Sequence, residues 1–175
     1  MVASGGGGSA LASILRMSSK GTTLVASNRK ARRDFTILET FEAGLVLRGA
    51  EVKSLRTNQV QMADAYARFG PHDAWLEGVH IAPYAFATGT DQPNPDRPRK
   101  LLLHAEEIEK IGARVAQERL AVVPLSIYFR DGRAKVELAL ARGRRKGDHR
   151  QAMAERDAQR EAARALGRQR KGMAD

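Results

Sequence analysis

Apolar and polar positions along this chain fall into short alternating runs, punctuated by glycine, proline and aspartate, with one segment that keeps helical spacing instead. The stretch around which the rest is arranged is Phe41 to Arg56, FEAGLVLRGAEVKSLR. It reads as one long strand. Leu45, Val46 and Leu47 form a buried run, Gly49 interrupts it, and Glu51, Val52 and Lys53 resume the alternation. A glycine inside a strand marks a bulge or a sharp bend, and a long kinked strand is what a small closed barrel needs to turn its corner.

Around this stretch the period-two pattern repeats. Asp34 to Leu38 predicts a short strand, and the chain ahead of the central stretch otherwise reads as basic and loose. Ala65 to Phe69 and Ala74 to Ile81 flank the turn signal Gly70-Pro71-His72-Asp73 and predict a hairpin. Phe86 to Pro98 holds three of the six prolines and reads as a loop. Ala105 to Gln117 predicts a helix, because Ile108, Ile111 and Val115 share one face at its spacing. Val123, Leu125, Ile127 and Phe129 then alternate, Asp131-Gly132 signals a tight turn, and Ala134, Val136, Leu138 and Leu140 alternate back. The predicted fold class is mainly β: about six strands in a small closed barrel of the oligonucleotide/oligosaccharide-binding (OB) type, with one or two packed helices.

Charge divides the chain into three parts. Residues 16 to 33 carry six bases and no acid, 34 to 141 carry thirteen bases and fifteen acids, and 142 to 175 carry eleven bases and five acids. A near-neutral body is thus flanked by basic arms, a layout that favours a polyanion. The predicted organisation is a Gly/Ser-rich extension over 1–20 that does not read as a signal peptide, a barrel over 21–141, and a basic tail over 142–175. With no cysteine there is neither a disulfide nor a thiolate metal site, and no apolar run is long enough to span a membrane. The tail offers almost no large apolar residue to a membrane surface.

The tail is rich in good helix formers, but from Gln151 to Leu166 it has only Met153 and Leu166 as large apolar residues, so it is expected to be disordered alone and helical when bound. Arg156, Arg160, Arg164 and Arg168 recur every four residues and would form one drifting stripe suited to a row of phosphates. Gly143 to Arg150, GRRKGDHR, sets bases among glycines that let a phosphate chain approach. Asn28-Arg29-Lys30 and Arg97-Pro98-Arg99-Lys100 are two more basic clusters, read as irregular backbone. Glu42 and Glu51 could accept from a base amino group, hold an arginine, or form structural salt bridges. His72, His80, His104 and His149 have no metal-ligand spacing, and nucleotide-hydrolysis, metalloprotease and serine-hydrolase motifs are missing, so catalysis is not expected. The residues alone leave open whether the nucleic acid is RNA or DNA. A general OB-type ribosomal or initiation-type RNA-binding protein, or less favourably a nuclease, stands as the alternative.

Taken together, FEAGLVLRGAEVKSLR, then IAPY at Ile81 to Tyr84, RKLLLH at Arg99 to His104, and GRRKGDHR resemble the SsrA-binding protein family, small protein B. The resemblance runs in order from about Leu24 to about Leu166. It implies an OB-type barrel that binds the tRNA-like domain of transfer-messenger RNA and brings it to ribosomes stalled on messages lacking a stop codon. It also implies a cytoplasmic, monomeric adaptor without catalysis, metal or cofactor. By motif match, Asn28, Glu42 and Lys100 to Leu102 fall where the family contacts the tRNA-like domain. Gly143, Arg144, Arg145, Asp148 and Arg150 fall where its tail enters the decoding centre of 16S ribosomal RNA, with the following helix in the empty message channel. The candidate RNA-binding set is therefore Asn28, Arg29, Lys30, Arg32, Glu42, Lys53, Arg99, Lys100 and Leu102. The candidate decoding-centre set is Gly143, Arg144, Arg145, Lys146, Asp148, His149, Arg150, Arg156, Arg160 and Arg164. The chain departs from the family at His149, where lysine is common, and in having Ala158 and Ala165 where relatives carry bulkier residues.

Overall fold

The computed structural model describes residues 21–87, 92–144 and 153–164, and every count below refers to these. In chain order the elements are β1 (Thr22–Ser27), α1 (Arg29–Asp34), β2 (Phe35–Leu45), α2 (Gly49–Arg56), β3 (Val60–Gln61), β4 (Tyr66–Phe69), β5 (Ala74–Glu77), β6 (His80–Ile81), β7 (Arg99–Leu102), α3 (Ala105–Glu118), β8 (Ala121–Arg130) and β9 (Arg133–Gly143). A last helix, α4, spans 153–164. The main sheet has the order β1-β8-β4-β5-β7-β2-β9, and β9 returns to pair with β8. Six strands therefore close a ring, with β1 as a flap on β8. The predicted mainly β fold with a closed sheet is what the structure has, but with three helices on the body rather than one or two.

The central stretch is not one strand. β2 begins earlier, at Phe35, and absorbs the short strand predicted at Asp34 to Leu38. It ends at Leu45, and Gly49–Arg56 is helix. The buried face of α2 is Glu51, Ser54 and Leu55, positions i, i+3 and i+4 of a helix. Two of those three are polar, so the apolar pattern concealed the helical period. Gly49 opens a helix rather than bending a strand.

The basic segment before β2 is also ordered. β1 pairs antiparallel with β8, and α1 packs Ala31 onto the second, smaller core cluster with Val123, Leu125, Ala139 and Ala141. The predicted hairpin forms between β4 and β5. Ala74 to Ile81 is broken at Gly78, whose φ of +75° no extended strand accommodates. Beyond it, β6 pairs with β3 in a separate two-stranded sheet.

The last hairpin forms as predicted, with β8 and β9 joined through Asp131 and Gly132, whose φ values of 50° and 75° are both positive as a type I′ turn requires. The alternation along β8 is nevertheless interrupted. The register slips between Pro124 and Ser126, a β-bulge that reverses which face each later residue takes. Val123 and Leu125 thus join the smaller cluster under α1, whereas Ile127 and Phe129 enter the main core. Both faces of β8 are buried, so its near-continuous apolar run serves two cores at once.

α3 matches its prediction closely. Ile108, Ile111 and Val115 lie on the main core, and Arg119 closes the helix in the left-handed conformation. α4 is helical with every residue exposed. Its alanine, arginine and glutamate content favours the helix, which has no packed face.

Candidate nucleic-acid interface

β2 and β7 build the groove that holds three of the nine predicted body residues, Glu42, Lys100 and Leu102. Their pairing sets Gly44 opposite Leu102 and Leu45 opposite Leu101. Alternation along β7 buries Arg99 and Leu101 and turns Lys100 and Leu102 outward. Leu102 is 57% exposed, and it lies so close over Gly44 that a Cβ there would stand 3.2 Å from the Leu102 Cβ. The resulting groove, about 530 Å³ in volume, is lined by Glu42, Gly44, His72, Asp73, residues 100–104, Glu107, Ile108 and Lys135. It offers carboxylates, ammonium groups, imidazoles and an apolar side chain within one concavity, as a folded RNA surface of phosphates, base edges and sugars demands.

Glu42 is fixed from β8. The Tyr128 hydroxyl donates to its carboxylate, and Arg130 Nη1 is 2.7 Å from the same oxygen. The Arg130 guanidinium also lies 5.5 Å from the centre of the Tyr128 ring. Burial, and then the Glu42 hydrogen bond and charge, push the Tyr128 phenol well above its ordinary pKa, so it keeps its proton and remains a donor. Across the ladder Glu42 faces Glu137. Glu137 accepts from Ser126 Oγ at 3.1 Å and lies 3.6 Å from Arg32 Nη2 on α1. Two like charges directly opposite are thus each held beside an arginine.

The other predicted body residues are placed differently. Asn28 is 3% exposed and spends its side chain inside the protein. Its Nδ2 donates to the carbonyls of Met62 (2.9 Å) and Pro124 (3.0 Å). Its Oδ1 caps α1 by accepting from the Ala31 amide at 3.0 Å, and its own amide donates to the Leu125 carbonyl at 2.7 Å. Asn28 sits where one edge of β8 passes from β1 to β4, and satisfies the groups that neither strand reaches. Asn28→Ala is expected to lose about 2–4 kcal/mol, the helix cap plus stranded carbonyls. Urea unfolding would show it, and a wild-type midpoint would refute this account.

Arg99 is likewise removed from the surface, at 1% exposure. Its Nε and Nη2 donate to Glu51 Oε1 at 3.0 and 2.9 Å, Nη2 also donates to the Pro95 carbonyl at 2.7 Å, and Nη1 donates to the Val79 carbonyl. Arg97 donates to both oxygens of the same carboxylate. Glu51 is thereby a structural anion and not a base-reading group. The Asn28–Lys30 segment is a helix cap and first turn rather than irregular backbone. Arg29 and Lys30 are exposed on α1, with Lys30 paired to Asp64. Lys53 is exposed on α2, over the ring of Tyr84 at 5.4 Å.

In the tail, Gly143 closes β9 opposite Phe35, and the Arg144 amide donates to the Asp34 carbonyl at 3.0 Å. Both belong to the folded body. Arg145, Lys146, Asp148, His149 and Arg150 lie outside the described residues, as does Arg168. Arg156, Arg160 and Arg164 are exposed along α4. Sequence reasoning passed over Tyr128, Arg130, Lys135, His72 and His104. Tyr128 was legible in principle, because it falls out of phase with Ile127 and Phe129 and so cannot share their core.

The model of the SmpB protein family matches residues 25–168. The SsrA-binding protein of Acidothermus cellulolyticus is 55% identical over 152 residues, 87% of this chain and 95% of the relative. That of Mycolicibacterium smegmatis is 52% identical over 157 residues, covering 90% and 97% of the two chains. A solved structure described as tmRNA-SmpB of the bacterial ribosome superposes with a TM-score of 0.59 at 45% identity, over 73% of this chain and 93% of that one. A family match spanning both the closed sheet and the basic tail means that this chain belongs to the SmpB protein family.

Proposed function

We propose that this protein is an RNA-binding adaptor of trans-translation. It captures the tRNA-like domain of transfer-messenger RNA on its body and brings it to stalled ribosomes, where the basic tail takes the decoding centre and the empty message channel. The observation that carries this reading is the match to SsrA-binding proteins over nearly their whole length. The geometry supports a division of labour. Glu42, Lys100 and Leu102 converge on one groove, whereas the arginines of α4 stand exposed at one-turn intervals. Arg29, Lys30 and Lys53 add surface charge to the body, Arg32 holds Glu137, and Asn28 and Arg99 act by fixing α1 and β7. The role is to hold and position RNA, with no chemical step of its own, and its place is the cytoplasm beside the ribosome. Among the described residues no helix is long and apolar enough to cross a membrane.

Sequencing of the RNA that co-purifies from cells tests the reading. Transfer-messenger RNA should dominate, and Lys100→Ala should deplete it. In vitro, at one fixed salt concentration, the tRNA-like RNA should be preferred over a plain hairpin of equal length. Equal affinity for both would return the protein to the class of general RNA-binding proteins.

A further inference from the structure

We infer that the groove between α2 and the turn at Tyr84–Ala87 is a second RNA-binding site, which takes an unpaired nucleotide by stacking its base on Phe86 and holding its phosphate with Lys53 and Arg48. The inference rests on the RNA-binding reading above and adds a place and a ligand class to it. The groove, about 660 Å³ in volume, is walled by Arg48, Gly49, Ala50 and Lys53 on one side and by Tyr84, Phe86 and Ala87 on the other. None of these residues lines the groove of Glu42 and Lys100.

The chemistry of its walls selects the ligand. Phe86 is 81% exposed. A lone exposed phenylalanine calls for no explanation. This one is held against Tyr84, ring centres 5.6 Å apart and planes at 64°, so it presents a π-face at a set angle. Lys53 Nζ lies 5.4 Å from the Tyr84 ring centre, which keeps its charge at the aromatic wall. Among the described residues of the lining, Arg48 and Lys53 are the charged ones and none is a carboxylate. The Glu42 groove, by contrast, contains three acids, Glu42, Asp73 and Glu107. A side chain added at Gly49 would meet nothing within 4 Å, so the first turn of α2 is uncovered. Aromatic faces beside unopposed cations are the combination by which proteins hold single-stranded nucleic acid, base on ring and phosphate on cation. An acidic peptide would use the cations but would have no need of the rings.

Binding of a short unstructured RNA bearing a fluorescent purine analogue to the full-length protein tests this. Phe86→Ala should weaken binding about tenfold and abolish the fluorescence change of stacking, while Phe86→Trp retains both. Lys53→Ala should lower the slope of log affinity against log salt by about one, and Phe86→Ala should leave that slope unchanged. Phe86 lies outside both core clusters, so its melting temperature serves as the control. Unchanged oligonucleotide binding in Phe86→Ala overturns the inference and leaves an acidic protein segment as the occupant. The same variants measured on tRNA-like RNA separate the two readings. Wild-type protein with no preference for that RNA counts against the adaptor function, whereas loss of oligonucleotide stacking in Phe86→Ala with that preference intact supports this groove as a separate site.

Discussion

Glu51→Ala should cost about 3–5 kcal/mol of folding stability, the usual consequence of leaving one partner of a buried ion pair behind. Glu51 is 3% exposed and Arg99 1%. Without the carboxylate, the Arg99 guanidinium would keep only the carbonyls of Val79 and Pro95, in a site cut off from water. Burial alone would push the Glu51 carboxyl up. The hydrogen bonds from Arg97, the Arg48 amide and Arg99 outweigh it and hold the pKa below the ordinary value of 4.5. The sign of the pH dependence follows. The folded state binds this proton less readily than the unfolded chain, so the stabilisation is complete above the ordinary glutamate range. It is lost as pH falls through the depressed folded-state value. Urea unfolding of wild type and Glu51→Ala between neutral and acid pH would measure both effects. A loss below about 1 kcal/mol, in the range of exposed pairs, would mean that water reaches the pair. Because Glu51 lies on α2 and Arg99 directly precedes Lys100 on β7, the same substitution should loosen both grooves.

Truncation after Arg144 should leave the melting temperature and the capture of tRNA-like RNA unchanged and abolish tagging of stalled chains. The cut has to fall there. Arg142 and Gly143 still pair with Thr36 and Phe35, and the Arg144 amide still reaches Asp34. Removing the chain from residue 142 onward would strip paired residues from β9 and confuse folding with function. α4 is exposed at every position, so its loss uncovers no described core. Filter binding and a reconstituted tagging assay would distinguish the outcomes. Loss of RNA capture in the truncated protein would defeat the separation of body and tail.

How much of this was legible depended on whether apolar residues alone carried the signal. α3 and the β8–β9 hairpin could be read because Ile108, Ile111 and Val115, and the type I′ pair Asp131-Gly132, are unambiguous. α2 was not, because Glu51 and Ser54 occupy its buried face and only their partners on distant segments make that tolerable. α1 was hidden for a related reason: Asn28 looks like a member of a basic surface cluster until Met62 and Pro124 are brought to it. Charge, read from sequence, placed Lys100 and Arg99 in one cluster. The pleat of β7 separated them, one outward and one inward.

The closed ring has a consequence for how the chain comes into being. Among the described residues β1 pairs with β8 alone, and β2 pairs with β7 and β9, so the described strands synthesised first find their neighbours among those synthesised last. During translation the amino-terminal third must wait with open edges, a state that invites sticking to other chains. The β8–β9 hairpin, being local, forms quickly once it emerges. It then acts as the clasp onto which the waiting strands fasten, and the body is completed at nearly the last moment of its own synthesis.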